Sequence, residues 1–81
     1  MDEPERQHLL RVKAAIADSP KDLAKLSPRE RDLLRLRVGL EDGHLRETSE
    51  IADLYGVPIA RIRMLEDKAL RKLGVLDNPK P

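Results

Sequence analysis

Cysteine, tryptophan and phenylalanine are missing from this 81-residue sequence, and Tyr55 is its single aromatic. Without cysteine there is no disulfide, no thiolate nucleophile and no cysteine zinc site. That usage fits a reducing compartment. No apolar run approaches the roughly 20 residues needed to span a bilayer. The opening Met1-Asp2-Glu3-Pro4-Glu5 is acidic, the opposite of a signal peptide's basic start, so a soluble cytoplasmic chain is expected. There is no HExxH and no Gly-rich phosphate loop. His8 and His44 stand in separate segments and read as surface residues. No catalytic residue, metal or cofactor is expected. A chain this short forms one small domain that buries only about 60–65% of its unfolded surface. Its core must be Leu, Ile, Val and Ala, and no deep substrate pocket is expected.

What is present is helix-forming sequence and abundant charge. Sixteen Lys+Arg face 15 Asp+Glu, for a net charge of +1. That balance hides an asymmetry. Residues 41–53 carry −4, residues 57–76 carry +3, and residues 29–37 carry +2. Two basic segments suit a polyanion or an acidic partner, although charge can also simply coat a small helical domain.

β-branched residues are sparse and never alternate over a strand's length, so the chain reads as all-α. A first helix is predicted from about Glu5 to Asp18, with Leu9, Val12 and Ile16 on one side and Leu10 beside them. That stripe either packs on the domain, as a thin core favours, or faces a partner. Ser19-Pro20 can cap a short second helix carrying Leu23 and Leu26. Ser27-Pro28-Arg29-Glu30 spells a capping box, opening a helix to about Leu40 whose stripe is Leu33, Leu36 and Leu40, widened by Leu34 and Val38. A loop from Glu41 to Arg46 leads to a helix over Thr48–Tyr55, capped by Glu47 or Thr48. Pro58 stands near the first turn of a last helix running to about Leu73, and Gly74-Val75 suits a Schellman close. Residues 77–81 read as a loose tail.

Thr48 to Leu65 has the spacing of a helix-turn-helix. Ala52 permits close helix approach, and Gly56 supplies a turn residue four positions later. Ile51, Tyr55 and Val57 seal the corner, and Ile62 and Leu65 face back from the second helix. An ordinary αα-hairpin with a glycine turn is the alternative.

The strings Leu34-Arg35-Leu36-Arg37-Val38-Gly39-Leu40, Asp42-Gly43, Glu50-Ile51, Gly56-Val57, Arg61-Ile62-Arg63 and Glu66-Asp67-Lys68-Ala69-Leu70-Arg71-Lys72-Leu73 are distinctive together. Through them Leu26–Leu73, 48 of the 81 residues, resembles without a gap the C-terminal domain (region 4) of bacterial primary sigma factors. The resemblance implies an all-α bundle ending in a helix-turn-helix. It suggests a division into an N-terminal helical extension (1–22), a region 4-like domain (23–76) and a tail (77–81). It implies a recognition helix that reads the upstream promoter hexamer, and docking on the β flap of RNA polymerase. Arg63, Lys68 and Arg71 match positions that meet transcription activators and DNA backbone. Arg35 and Arg37, with neighbours such as Leu36, match a helical unit that helps build the flap-binding face. Solvated arginines or weak surface ion pairs are the alternative for each of these cations.

The departures fall on the reading surface. At about 100° per residue, with Ile62 at zero, Ala69 and Leu73 lie within about 20° and Leu65 about 60° away. Ala60, Met64, Asp67 and Arg71 form the outer face, with Arg63 on its flank. Sigma factors commonly carry Arg-Glu where Ile59-Ala60 stand and Gln where Met64 stands, their principal base-reading positions. A phosphate-contacting Thr is Pro58 here, and another Thr is Glu47. Base reading needs donors and acceptors, although Ala and Met can touch thymine methyls. Met beside Ala and Ile equally suits a protein contact.

Three readings follow. In the first, a non-enzymatic transcription protein works through RNA polymerase with altered or non-specific DNA contact. Arg61, Arg63, Lys68, Arg71 and Lys72 would meet phosphate or acidic groups, and Ile59, Ala60 and Met64 would carry what specificity there is. In the second, a module mimics region 4 to bind polymerase or an activator or anti-sigma-like regulator, with Arg35, Leu36, Arg37 and Met64 as contacts. The third is a stand-alone DNA-binding regulator, which half-site geometry would make a dimer. The stretch fits a small free-standing protein or a piece of a larger sigma factor. It has no aromatic-rich melting segment, so these residues alone are not expected to initiate transcription.

Overall fold

A computed structural model describes residues 1–74. These form four α-helices and one short 3₁₀ helix, and no strand occurs among the described residues. Helix α1 covers Glu3–Asp18, the 3₁₀ helix Pro20–Lys25, α2 Pro28–Val38, α3 Thr48–Tyr55 and α4 Ile59–Leu73.

The helix starts follow cap chemistry. Helix α1 begins two residues before the expected start because Asp2 accepts from the Glu5 N–H at 3.0 Å, with Pro4 in the first turn where no donor is needed. The predicted capping box of α2 is complete. Glu30 N–H donates to Ser27 Oγ at 3.2 Å, and Ser27 N–H donates to Glu30 Oε1 at 3.0 Å. Pro58 is the extended residue just before α4 rather than a first-turn residue, with ψ 151. Helix α2 stops two residues short of Leu40, because Gly39 turns left-handed (φ 63) and its N–H bonds back into the last turn. Gly74 closes α4 in the same way (φ 73), while Val75 and the expected tail lie outside the described residues.

The apolar stripes meet in two clusters. Leu9, Val12 and Ile16 of α1 are buried with Leu26, Leu34, Val38, Ala69 and Leu70, and Leu23, Leu40, Leu45 and Leu73 pack against them. Segment 1–22, expected as an extension, thus supplies part of the main core. Leu10 alone of its four apolar stripe residues is exposed. The second cluster joins Leu33 of α2 to Ile51 and Ala52 of α3 and Ile62 of α4. Helix α4 packs on both α2 and α3, so its two neighbours fix its inner face. Each fully buried Leu or Ile contributes about 1.5–3 kcal/mol.

Gly39 is the tightest backbone position. A Cβ there would collide with the main chain of His44, lying 2.7 Å from its carbonyl oxygen, and the backbone is left-handed. Gly39→Ala is expected to cost about 2 kcal/mol or more, read as a lower urea midpoint with unchanged slope.

Candidate nucleic-acid interface

The α3–α4 pair has the expected helix-turn-helix construction. Gly56 holds φ 70, and the Val57 N–H donates to the Ala52 carbonyl at 3.0 Å, closing α3. Ala52 is buried where α3 meets its neighbours. Tyr55, Val57 and Leu65 pack around the second cluster and seal the corner. The Glu47 N–H donates to the Glu50 carboxylate at 2.9 Å, tying down the start of α3.

Helix α4 turns Ile62, Ala69 and Leu70 inward. Ala60 and Met64 (53%) stand exposed, as the helical wheel predicted, whereas Asp67 is half-buried; Ile59, which the same wheel puts about 60° from Ile62, is exposed too (40%). Arg61, Arg63 and Lys68 are also exposed and have no ion-pair partner among the described residues. The other two candidate cations are engaged. Arg71 pairs with Asp67 at 3.1 Å, and Lys72 reaches across to Glu30 of α2 at 2.8 Å. The five cations grouped together in the sequence therefore divide into three unpaired and two internally neutralised.

The candidates on α2 are not alike either. Arg35 is half-buried and pairs with Glu41. Leu36 is half-buried and packs on the second cluster. Arg37 is 4% exposed, which removes it from any partner-facing surface. Its Nε donates to Glu66 of α4 at 3.1 Å. One terminal nitrogen donates to Glu5 of α1 at 2.8 Å and the other to the Arg46 carbonyl at 2.7 Å. One guanidinium thus binds α1, α4 and the α2–α3 loop to α2. Arg46 completes the loop, donating to the Leu36 and His44 carbonyls and to Asp42 at 2.7 Å.

Glu66, which carries no role in the sequence pattern, and Arg37, expected at a partner-facing surface, are both buried. Both were legible on a wheel. At about 100° per residue, Glu66 lies about 40° from Ile62, and Arg37 about 40° from Leu33, between Leu33 and Leu34. A cation and a carboxylate both pointing inward is a pairing signal, because neither is buried alone.

The residues 23–73 match the family model for sigma-70, region 4. The chain belongs to the sigma-70 region 4 family. It is 55% identical over 56 residues to RNA polymerase sigma factor SigA of Nostoc sp., a match covering 69% of this chain and 14% of that one. It is 59% identical over 51 residues to sigma factor SigA1 of Synechococcus elongatus (63% and 13%) and 57% identical over 51 residues to SigA of Microcystis aeruginosa (63% and 12%). The chain thus spans about an eighth of the length of these curated relatives. No solved structure matches it. No helix among the described residues is long and apolar enough to cross a membrane.

Charge pairing within this region 4 domain shifts two carboxyls. Lys72, with help from the Ser27 N–H, holds Glu30 below the usual carboxylate range. Arg46 and the His44 N–H hold exposed Asp42 down at about 2. A depressed folded-state pKa gives stability that is present above the unfolded value and lost as pH falls through the folded one. Glu30→Gln is therefore expected to lower the urea midpoint at pH 7 and to flatten its fall below about pH 4.

Arg37→Met alone is expected to cost about 3–5 kcal/mol, because it leaves Glu66 buried without its cation. Adding Glu66→Leu should recover much of that loss. Equilibrium unfolding of the two variants measures both effects.

Proposed function

We propose that this domain works as a sigma region 4 unit at RNA polymerase and promoter DNA, holding DNA through its backbone while base readout is altered or weak. The observation that carries this reading is the composition of the exposed side of α4. Ile59, Ala60 and Met64 occupy the positions expected to read bases, and none offers a donor or acceptor to a base edge. Unpaired Arg61, Arg63 and Lys68 surround them, and these are groups that meet phosphate whatever the sequence. Glu47 at the start of α3 offers phosphate no donor side chain, its carboxylate being paired with the Met1 amino group at 2.6 Å.

Three phosphate contacts predict that log affinity falls with log salt at a slope near −3. Binding to a promoter duplex should drop about 40-fold between 50 and 200 mM salt and differ little for a scrambled duplex. A flat response to salt contradicts DNA contact, and strong discrimination contradicts altered readout.

Exposed Met64, one turn from exposed Ala60, with Ile59 also exposed, favours a second reading, in which this face meets a protein, either the polymerase β flap or a regulator. Under that reading Met64→Glu abolishes binding to the isolated β flap. If the variant weakens only DNA binding, the reading fails.

A further inference from the structure

Beside the α3–α4 turn, facing the start of α2, lies an open groove of about 620 Å³. Its apolar lining includes Tyr55, Val57 and Leu65, and Arg29 and Arg61 stand against a single acid, Asp32. Both arginines are exposed and lack an ion-pair partner among the described residues. Tyr and Arg around an apolar floor is the composition that dominates the energetics of protein interfaces. The charge selects an acidic occupant, and the floor selects one with an apolar tip.

The chain carries such a segment. In α3, Glu50, Asp53 and Leu54 stand at i, i+3 and i+4, the spacing of one helical face. All three are exposed, and Leu54, at 66%, is the most exposed large apolar residue among those described. The helix contains no Lys or Arg.

We propose that the groove seats a second copy of this chain, taking Leu54 onto the Tyr55–Val57–Leu65 floor and Asp53 or Glu50 against Arg61 and Arg29. The projecting residue and the groove are neighbours in the chain, at Leu54 and Tyr55. The contact can therefore be made reciprocally about a two-fold axis, which closes at a dimer. A contact built from one short helix face and one groove belongs among small interfaces, so the dimer is expected to form reversibly with concentration. The proposal does not depend on the DNA or polymerase reading, since neither partner takes part.

Sedimentation equilibrium of the full chain, without DNA or polymerase, tests it. The expected result is a shift from monomer toward dimer between about 10 µM and 1 mM. Leu54→Asn, Asp53→Arg and Arg61→Asp should each weaken the dimer at least about fivefold, and all three change exposed side chains. Circular dichroism checks that each variant remains folded. The Asp53→Arg/Arg61→Asp double variant should regain most of the loss, because both partners reverse sign together. A monomer at every concentration overturns the proposal. So does a dimer indifferent to the three single changes, or a double variant no better than the worse single one.

Discussion

A single buried guanidinium holds this domain's parts in register. Arg37 sits at the end of α2 with almost no exposure and bonds to α1, to α4 and to the loop that leads into α3. Taking a charge out of water costs several kcal/mol, and the cost is offset only when geometry and partners are good. Here two carboxylates and a carbonyl receive it, and no buried side-chain polar atom among the described residues is left without a partner. Apolar stripes can slide against one another at modest cost, whereas a buried ion network accepts one arrangement. A specific orientation of α4 against α2 is the consequence that matters for function.

Packing and the network divide the labour. The first cluster brings α1 into the core of a fold whose family match begins only at residue 23. The second seats the helix-turn-helix on α2 through Leu33, Ile51, Ala52 and Ile62. Lys72–Glu30 adds a further tie from α4 to the start of α2. Every charged residue that α4 uses in this way is withdrawn from a ligand. The outer side is left with three unpaired cations and an apolar centre.

The sequence carried most of the helical layout, because its punctuation has direct physical meaning. Ser27 and Glu30 formed the box they spell, and Gly39, Gly56 and Gly74 took the left-handed turns where their helices end. The helix-turn-helix was legible for the same reason, since Ala52 and Gly56 are demanded by close approach and a tight turn. Charge is less legible. Arg35, Arg37, Arg71 and Lys72 look alike in one dimension, and whether a cation is free depends on which carboxylate the fold brings near. Arg37 finds Glu66 29 positions away, and Lys72 finds Glu30 42 positions away. Local spacing carries no sign of such pairs, although the inward wheel positions of Arg37 and Glu66 do.

The central claim is that a region 4 scaffold is kept while its reading face is changed. The scaffold resides in residues that point inward, and the proposed change in Ile59, Ala60 and Met64, which point outward. The two are therefore separable. The most direct measurement compares the wild type with the triple variant Ile59→Arg, Ala60→Glu, Met64→Gln by thermal unfolding and by binding to promoter and scrambled duplexes. The account predicts unfolding temperatures within a few degrees, since exposed substitutions usually cost under about 0.5 kcal/mol each. It also predicts that only the variant prefers the promoter duplex. A wild type that already discriminates, or a variant that folds and stays indifferent to sequence, would contradict it.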